Sequence, residues 1–206
     1  MNKEKGHKIF FVGIALSNSS NYDTGVAVLD DKRKIISLDK FYTIEDIKLY
    51  LDNYFSKKET VFAISTPTDN TLLEGKWRVH SKNYKMLDEN FTVNQKNWTN
   101  RVSTRATDIF TELKESGAEV FRYDIFQLRQ AYGLTANYIS RSSLDCKSLQ
   151  GALKIKYGFR ELPDNMLPAS NLEAILGAMF AYDVYHGAKT QIAYEYMGLE
   201  VLSRIN

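Results

Sequence analysis

The chain has 206 residues and a mass of 23.7 kDa, with 44% hydrophobic and 25% charged residues. That is the make-up of a globular chain, not of a disordered, collagen-like or coiled-coil one. Its single cysteine, Cys146, excludes an internal disulfide and a Cys-pair zinc site; His7, His80 and His186 lack ligand spacing; and the net charge of +2 selects no partner by itself.

Lys3, Lys5 and Lys8 precede the apolar run Ile9–Leu16. A secretion signal opens with such a basic region, but Ser17-Asn18-Ser19-Ser20-Asn21 follows without a small-x-small cleavage pattern. The reading is therefore a disordered tail over residues 1–7 and one domain over residues 8–206, with the cytoplasm as the expected location. The longest apolar runs, Ile9–Leu16 and Ala174–Tyr182, fall far short of the ~20 residues that span a bilayer. No membrane association is expected.

Ile9–Leu16 is continuously apolar, which predicts a central strand covered on both faces. Thr24–Leu29 and Ile35–Tyr42 predict two more strands. The short polar connections between the three make them an antiparallel meander. Ile44, Ile47, Leu51 and Tyr54 then recur at helical spacing behind a Thr43/Asp46 cap. Thr60–Ser65 predicts a fourth strand, parallel to its neighbour by the right-handed crossover rule. Residues 66–103 are the least regular stretch.

Beyond them Ala106, Ile109, Phe110 and Leu113 mark a helix stopped by Gly117, and Ala118–Tyr123 a fifth strand. Asp124 with Gln127 caps a short helix, and Ser142 with Asp145 another that runs to Gly158. Ser170 and Glu173 form a Ser-x-x-Glu capping box before the strongest helical pattern, Leu172, Ile175, Leu176, Met179 and Phe180. Small residues fill its other faces, so this helix is expected to be buried nearly all round. The order β-β-β-α-β-α-β-α-α-α predicts an α/β fold of the RNase H-like kind. Its mixed five-stranded sheet, three strands antiparallel and two parallel, would be flanked by helices.

Short motifs extend that likeness. Val12–Ser17 (VGIALS) resembles a strand reading GID, Phe62–Asp69 (FAISTPTD) a strand end reading IDxP, and Glu119–Arg122 (EVFR) a segment reading EVYP. Arg78, Lys82 and Lys85 match the basic positions of R..DR..R, and Ser170–Tyr182 resembles HEADALLAALTA. In this the chain resembles a largely uncharacterised bacterial and archaeal family of predicted nucleases with an RNase H-like fold. The resemblance implies carboxylates from the first strand, a neighbouring strand end and a late helix. Together they would hold two Mg²⁺ roughly 3.5–4 Å apart.

The departures carry the chemistry. The expected acids fall at Ala15, Ser65 and Ser81, and only the late-helix acid remains, as Glu173. A methyl group cannot ligate magnesium, and a neutral hydroxyl replaces a carboxylate poorly. Glu173 is also explained as a helix cap, and Asp23 and Asp69 either complete a displaced site or form turns. If any metal is held, Glu173 is the ligand to expect.

The stretch from Glu74 to Arg105 carries seven basic and three acidic residues, a net +4, interleaved with Trp77, Tyr84, Phe91 and Trp98. Cations neutralise phosphates and aromatic faces stack bases. Lys76, Trp77, Arg78, Lys82, Lys85 and Arg101 are thus candidate nucleic-acid contacts. The same pattern also fits an amphipathic cover over the sheet, with its aromatics as core. The sequence holds no phosphate-binding G-x-x-x-x-G-K-[ST], no G-x-G-x-x-G and no G-x-S-x-G. Cys146 reads as a packed thiol.

The expectation is a domain with a degenerate metal site and no cofactor, binding nucleic acid or another polyanion without efficient cleavage. One alternative is an active Mg²⁺-dependent nuclease using Glu173 with Asp23 and Asp69. The other is a structural or interaction domain, an oligomer included, with no nucleic-acid role.

Overall fold

A computed structural model describes residues 9–17, 20–66, 105–196 and 199–205. In chain order the elements are β1 (Phe10–Ala15), β2 (Thr24–Leu29), β3 (Ile35–Phe41), α1 (Ile44–Tyr54) and β4 (Thr60–Ser65). Then follow helical residues 105–115 (α2), β5 (Glu119–Tyr123), α3 (Ile125–Ala131), α4 (Ser143–Lys156), α5 (Ala169–Tyr185), β6 (Thr190–Tyr196) and β7 (Leu199–Arg204). Three helix starts use the expected caps. Thr43 accepts from the Asp46 amide, Asp124 from Phe126 and Gln127, and Ser142 from Asp145. Each side chain satisfies amides that have no partner within the helix.

The sheet runs β3-β2-β1-β4-β5-β7-β6. β1 lies inside it, antiparallel to β2 and parallel to β4, with β5 parallel to β4. The order β3-β2-β1-β4-β5 with these directions is the RNase H-like arrangement. The sheet has seven strands rather than the expected five, because β6 and β7 form an antiparallel hairpin after the last helix. That hairpin joins the sheet through one parallel register pair, Tyr123 with Leu202. Arg204 and the Tyr132 hydroxyl both donate to Asp183 Oδ2, at 2.9 Å each, and latch it to α3 and α5.

Strand residues alternate between two cores, as the pleat requires. Val12, Ile14, Val26, Val28, Phe62 and Ile64 face α1 and α2. Phe11, Ala15, Ala27, Leu29, Val61 and Ala63 face α3, α4 and α5. On this second face the central residues are small, and α5 lies directly on them. A Cβ placed on Gly13 would sit 2.0 Å from the Ala174 carbonyl oxygen, and one on Gly25 2.2 Å from that of Ser170. Only glycine permits so close an approach of helix and strand backbones. Twelve consecutive residues of α5, Ser170 to Ala181, are buried, as the lack of a polar stripe in its sequence predicts. Among the described residues no helix is long and apolar enough to cross a membrane.

Candidate functional site

Parallel β1, β4 and β5 end at one edge of the sheet, where antiparallel β2 begins and α5 starts. This edge gathers Ala15, Asp23, Ser65, Thr66, Asp124, Ser170 and Glu173. Several are used up in closing the strand ends. Ser65 Oγ accepts from the Leu16 amide at 2.9 Å, and Thr24 Oγ1 from the Ser17 amide at 3.1 Å. Asp124 is fully buried and caps α3. Buried Arg122 places Nε 3.3 Å from Thr66 Oγ1.

The capping box expected at Ser170 and Glu173 is not formed. Helix α5 begins two residues earlier than the box requires, at Ala169, with Pro168 at its N-cap and no side-chain cap bond. Ser170 lies inside the first turn and its hydroxyl donates to Asp23. Glu173 lies a further turn in and cannot reach back.

Instead Glu173 pairs with Arg141, a residue the sequence reading did not single out. Arg141 Nε lies 3.0 Å from Oε1, and Nη2 donates to Oε2 at 3.0 Å. Glu173 is only 6% exposed, so this is a desolvated ion pair. Arg141 itself adopts the left-handed backbone region, with φ of 62°, an uncommon conformation for a side-chain-bearing residue. Its amide donates to Asp145 Oδ2 at 2.8 Å. Arg129 grips the same carboxylate at 2.6 and 2.9 Å and also donates to the Leu134 carbonyl. Burial opposes ionisation of Asp145, but the bonds from Arg129 and Arg141 outweigh it and hold the carboxyl below its usual range. The chain Arg129–Asp145–Arg141–Glu173 is therefore two cations matched to two anions. One signal pointed to it: an acid in an otherwise apolar helix needs a partner when buried.

The described residues do not fit the two-magnesium centre that the resemblance implies. Magnesium takes hard oxygens in near-octahedral array. Ala15 offers a methyl group, 2% exposed beneath α5. Ser65 is engaged by the Leu16 amide, and both oxygens of Glu173 face Arg141. Among the described residues no group of three His, Cys, Asp or Glu side chains is placed to hold a metal. Asp69, Ser81, Lys76, Trp77, Arg78, Lys82, Lys85 and Arg101 lie outside the described residues. Arg105, last of the basic segment, donates to the Tyr42 carbonyl at 3.2 Å. Cys146 is buried, and its thiol is pushed up by that burial and by Asp145, as a packed thiol should be.

No protein-family model and no curated protein sequence matches the chain. Among solved structures it is similar to T. thermophilus RuvC in complex with Holliday junction substrate, at 13% identity and a TM-score of 0.46. It is also similar to a Thermus thermophilus RuvC structure, at 12% identity and a TM-score of 0.42. Each alignment covers 87% of this chain and 97% of the other. Strand order and pairing, rather than these overlaps, define the fold as RNase H-like.

Proposed function

We propose that this chain is an RNase H-like domain of the predicted-nuclease kind that binds nucleic acid or another polyanion without metal-dependent cleavage. The observation that carries the reading is the Arg141–Glu173 pair. The one acid remaining at the positions matched to the family motifs is held by a tethered guanidinium. A cation built into the chain occupies the carboxylate, so a divalent ion must displace it and dehydrate at the same time. The +4 segment from Glu74 to Arg105, with its four aromatic residues, supplies the anion-binding side of the proposal.

The test is a paired assay on the whole chain. Single-stranded, double-stranded and four-way-junction DNA are incubated with protein and Mg²⁺ or Mn²⁺, and binding is measured across a salt series. Expected are no metal-dependent cleavage above background and weak single-strand binding that falls with salt. For about three phosphate contacts the log–log slope is near −2, and Arg78→Gln, Lys82→Gln and Lys85→Gln together flatten it. Cleavage that disappears in Glu173→Gln would establish instead an active site completed by Asp23 or Asp69. Salt-independent binding, or none at low salt, would leave the interaction-domain alternative.

A further inference from the structure

We propose that Arg33 anchors a phosphate-binding site at the end of the molecule opposite the candidate functional site. β2 and α5 both start at the functional edge, so the turn after β2 and the last turn of α5 lie at the other end. The proposal rests on the nucleic-acid reading for the source of the phosphate, a strand backbone, and not for the chemistry of the site. Inorganic phosphate presents the same group.

The backbone comes first. In the turn between β2 and β3 the Arg33 amide donates to the Asp30 carbonyl at 2.9 Å, and the Asp30 amide to the Lys34 carbonyl at 3.0 Å. Arg33 closes the turn with φ of 61°, a left-handed position that glycine usually fills. An arginine is spent where the backbone favours no side chain. That side chain is held flat. Its guanidinium carbon stands 5.6, 5.7 and 5.8 Å from the ring centres of Tyr157, Phe159 and Tyr182. Stacking of this kind pre-organises the planar fork of N–H donors. Covering the rings does not require it, since an apolar side chain would do so and leave no donor unmet.

The donors of Arg33 are unused. Its Nε is buried without a hydrogen-bond partner, and its two Nη groups, bonded to no described residue, are not buried. Its neighbours differ. Lys156 Nζ donates to the Tyr132 carbonyl at the end of α3, at 2.8 Å, and Arg204 to Asp183 at 2.9 Å. Charge then selects the ligand. Within the turn Asp30 and Asp31 cancel Lys32 and Lys34. Around it Arg33, Lys156, Arg160, Lys189 and Arg204 face Glu161 and Asp183, five cations against two anions, a net +3. Glu161 is tied to this end by the Ile35 amide, and Lys189 by that of Ile205. Taking the +4 of residues 74–105 from the whole chain's +2 leaves −2 for all the rest, so the cations are gathered here. A cation is repelled, and a neutral group leaves the fork's charge unmatched. A phosphate meets the fork with two oxygens at once and brings more charge than a carboxylate does.

The test uses the whole chain, isotope-labelled, titrated by NMR with inorganic phosphate, with acetate at matched ionic strength, and separately with oligo(dT). Phosphate should shift the Arg33 Nε–H signal and the Lys34 and Tyr157 amides saturably, and acetate should bind at least tenfold more weakly. Arg33→Gly suits a φ of 61° and keeps the turn; it should weaken phosphate binding, read at the two amides, at least tenfold. Arg33→Lys keeps the charge without the fork, should weaken it at least threefold, and guards against a misfolded Arg33→Gly. With oligo(dT), losing one phosphate contact in Arg33→Gly should flatten the log–log salt slope by about 0.7. Absence of saturable shifts, equal binding of acetate, or phosphate binding that ignores Arg33→Gly overturns the proposal. Oligo(dT) binding that falls with salt while phosphate leaves Arg33 unshifted overturns the site and leaves the polyanion reading standing. Phosphate binding at Arg33 without oligonucleotide binding supports the site and defeats the nucleic-acid reading.

Discussion

Replacing Arg141 by glutamine removes the cation and leaves Glu173 where it is. The Glu173 side chain is 8% exposed and that of Arg141 27%. Breaking a buried pair from one side costs about 3–5 kcal/mol, because the remaining charge stays buried without compensation. Arg141 is partly open to water, so the lower end applies, about 3 kcal/mol. Glu173→Gln leaves the more exposed partner, which solvent can reach, and should cost less, about 1–2 kcal/mol. The double variant faces two amides toward each other, and its loss should fall short of the sum by about 2 kcal/mol, within the range of contacting residues. Arg141→Gly should be about 1 kcal/mol milder than Arg141→Gln, since glycine accepts φ of 62° without a Cβ penalty. Urea denaturation at neutral pH, extrapolated linearly, resolves all four values. A loss under about 0.5 kcal/mol in Arg141→Gln, with additive singles, would refute the reasoning. Glu173 would then be free of its partner and open to a metal.

Three further outcomes follow from the same geometry. Ala15→Asp with Ser65→Asp should gain Mn²⁺ affinity, read by calorimetry, only when Arg141→Gln is added; strong binding without that third change would show that the guanidinium yields readily. Gly13→Ala should lose at least ~3 kcal/mol or fail to fold, because its Cβ would meet the Ala174 carbonyl and the Ala178 amide at 2.0 and 2.2 Å; wild-type melting would contradict the close contact of α5 with β1. Asp145 has a lowered pKa, so its contribution is complete above the ordinary 3.8 and is lost as pH falls through the lowered value. Acid unfolding of Asp145→Asn should accordingly be less steep below about pH 4 than that of the parent chain.

The first half of the fold was legible because its signals are local. Continuous apolar runs marked β1, β2 and β4, and the change to helical spacing after Thr43 placed α1. The apolar ring around α5 announced a helix covered on every side. The β6–β7 hairpin carries only a short signal: Ile192, Tyr194 and Tyr196 alternate ahead of Gly198, a period-2 pattern with a turn residue behind it. It lay beyond the last element of the expected topology, and no five-stranded template calls for it. Site geometry was the least legible part. Ala15 and Ser65 were seen as losses of carboxylate, but their structural uses depend on partners far along the chain: α5 above Ala15, and the Leu16 amide on Ser65. Glu173 and Arg141 stand 32 residues apart, and neither the spacing nor the polar run around Arg141 marks them as partners. The Ser-x-x-Glu pattern was real as a pattern and misleading as a cap, since Pro168 takes the N-cap position.

The way the hairpin is attached bears on how the molecule comes apart. A two-stranded ribbon is marginal alone in water. This one is held to the sheet by a single register pair, by Val201 and Leu202 packed on the core, and by Arg204, which bonds to Asp183 and lies over the Tyr132 ring. Loosening that latch releases some fifteen residues without disturbing β1, whose amides are enclosed between β2 and β4. Native-state hydrogen exchange should therefore divide the sheet into two cooperative units. Amides of β6 and β7 would exchange through a low-energy opening, with little dependence on global stability, while those of β1 wait for complete unfolding. When the ribbon lifts, the freed edge of β5 presents unpaired backbone groups to its surroundings. Strand exchange between two molecules would begin there.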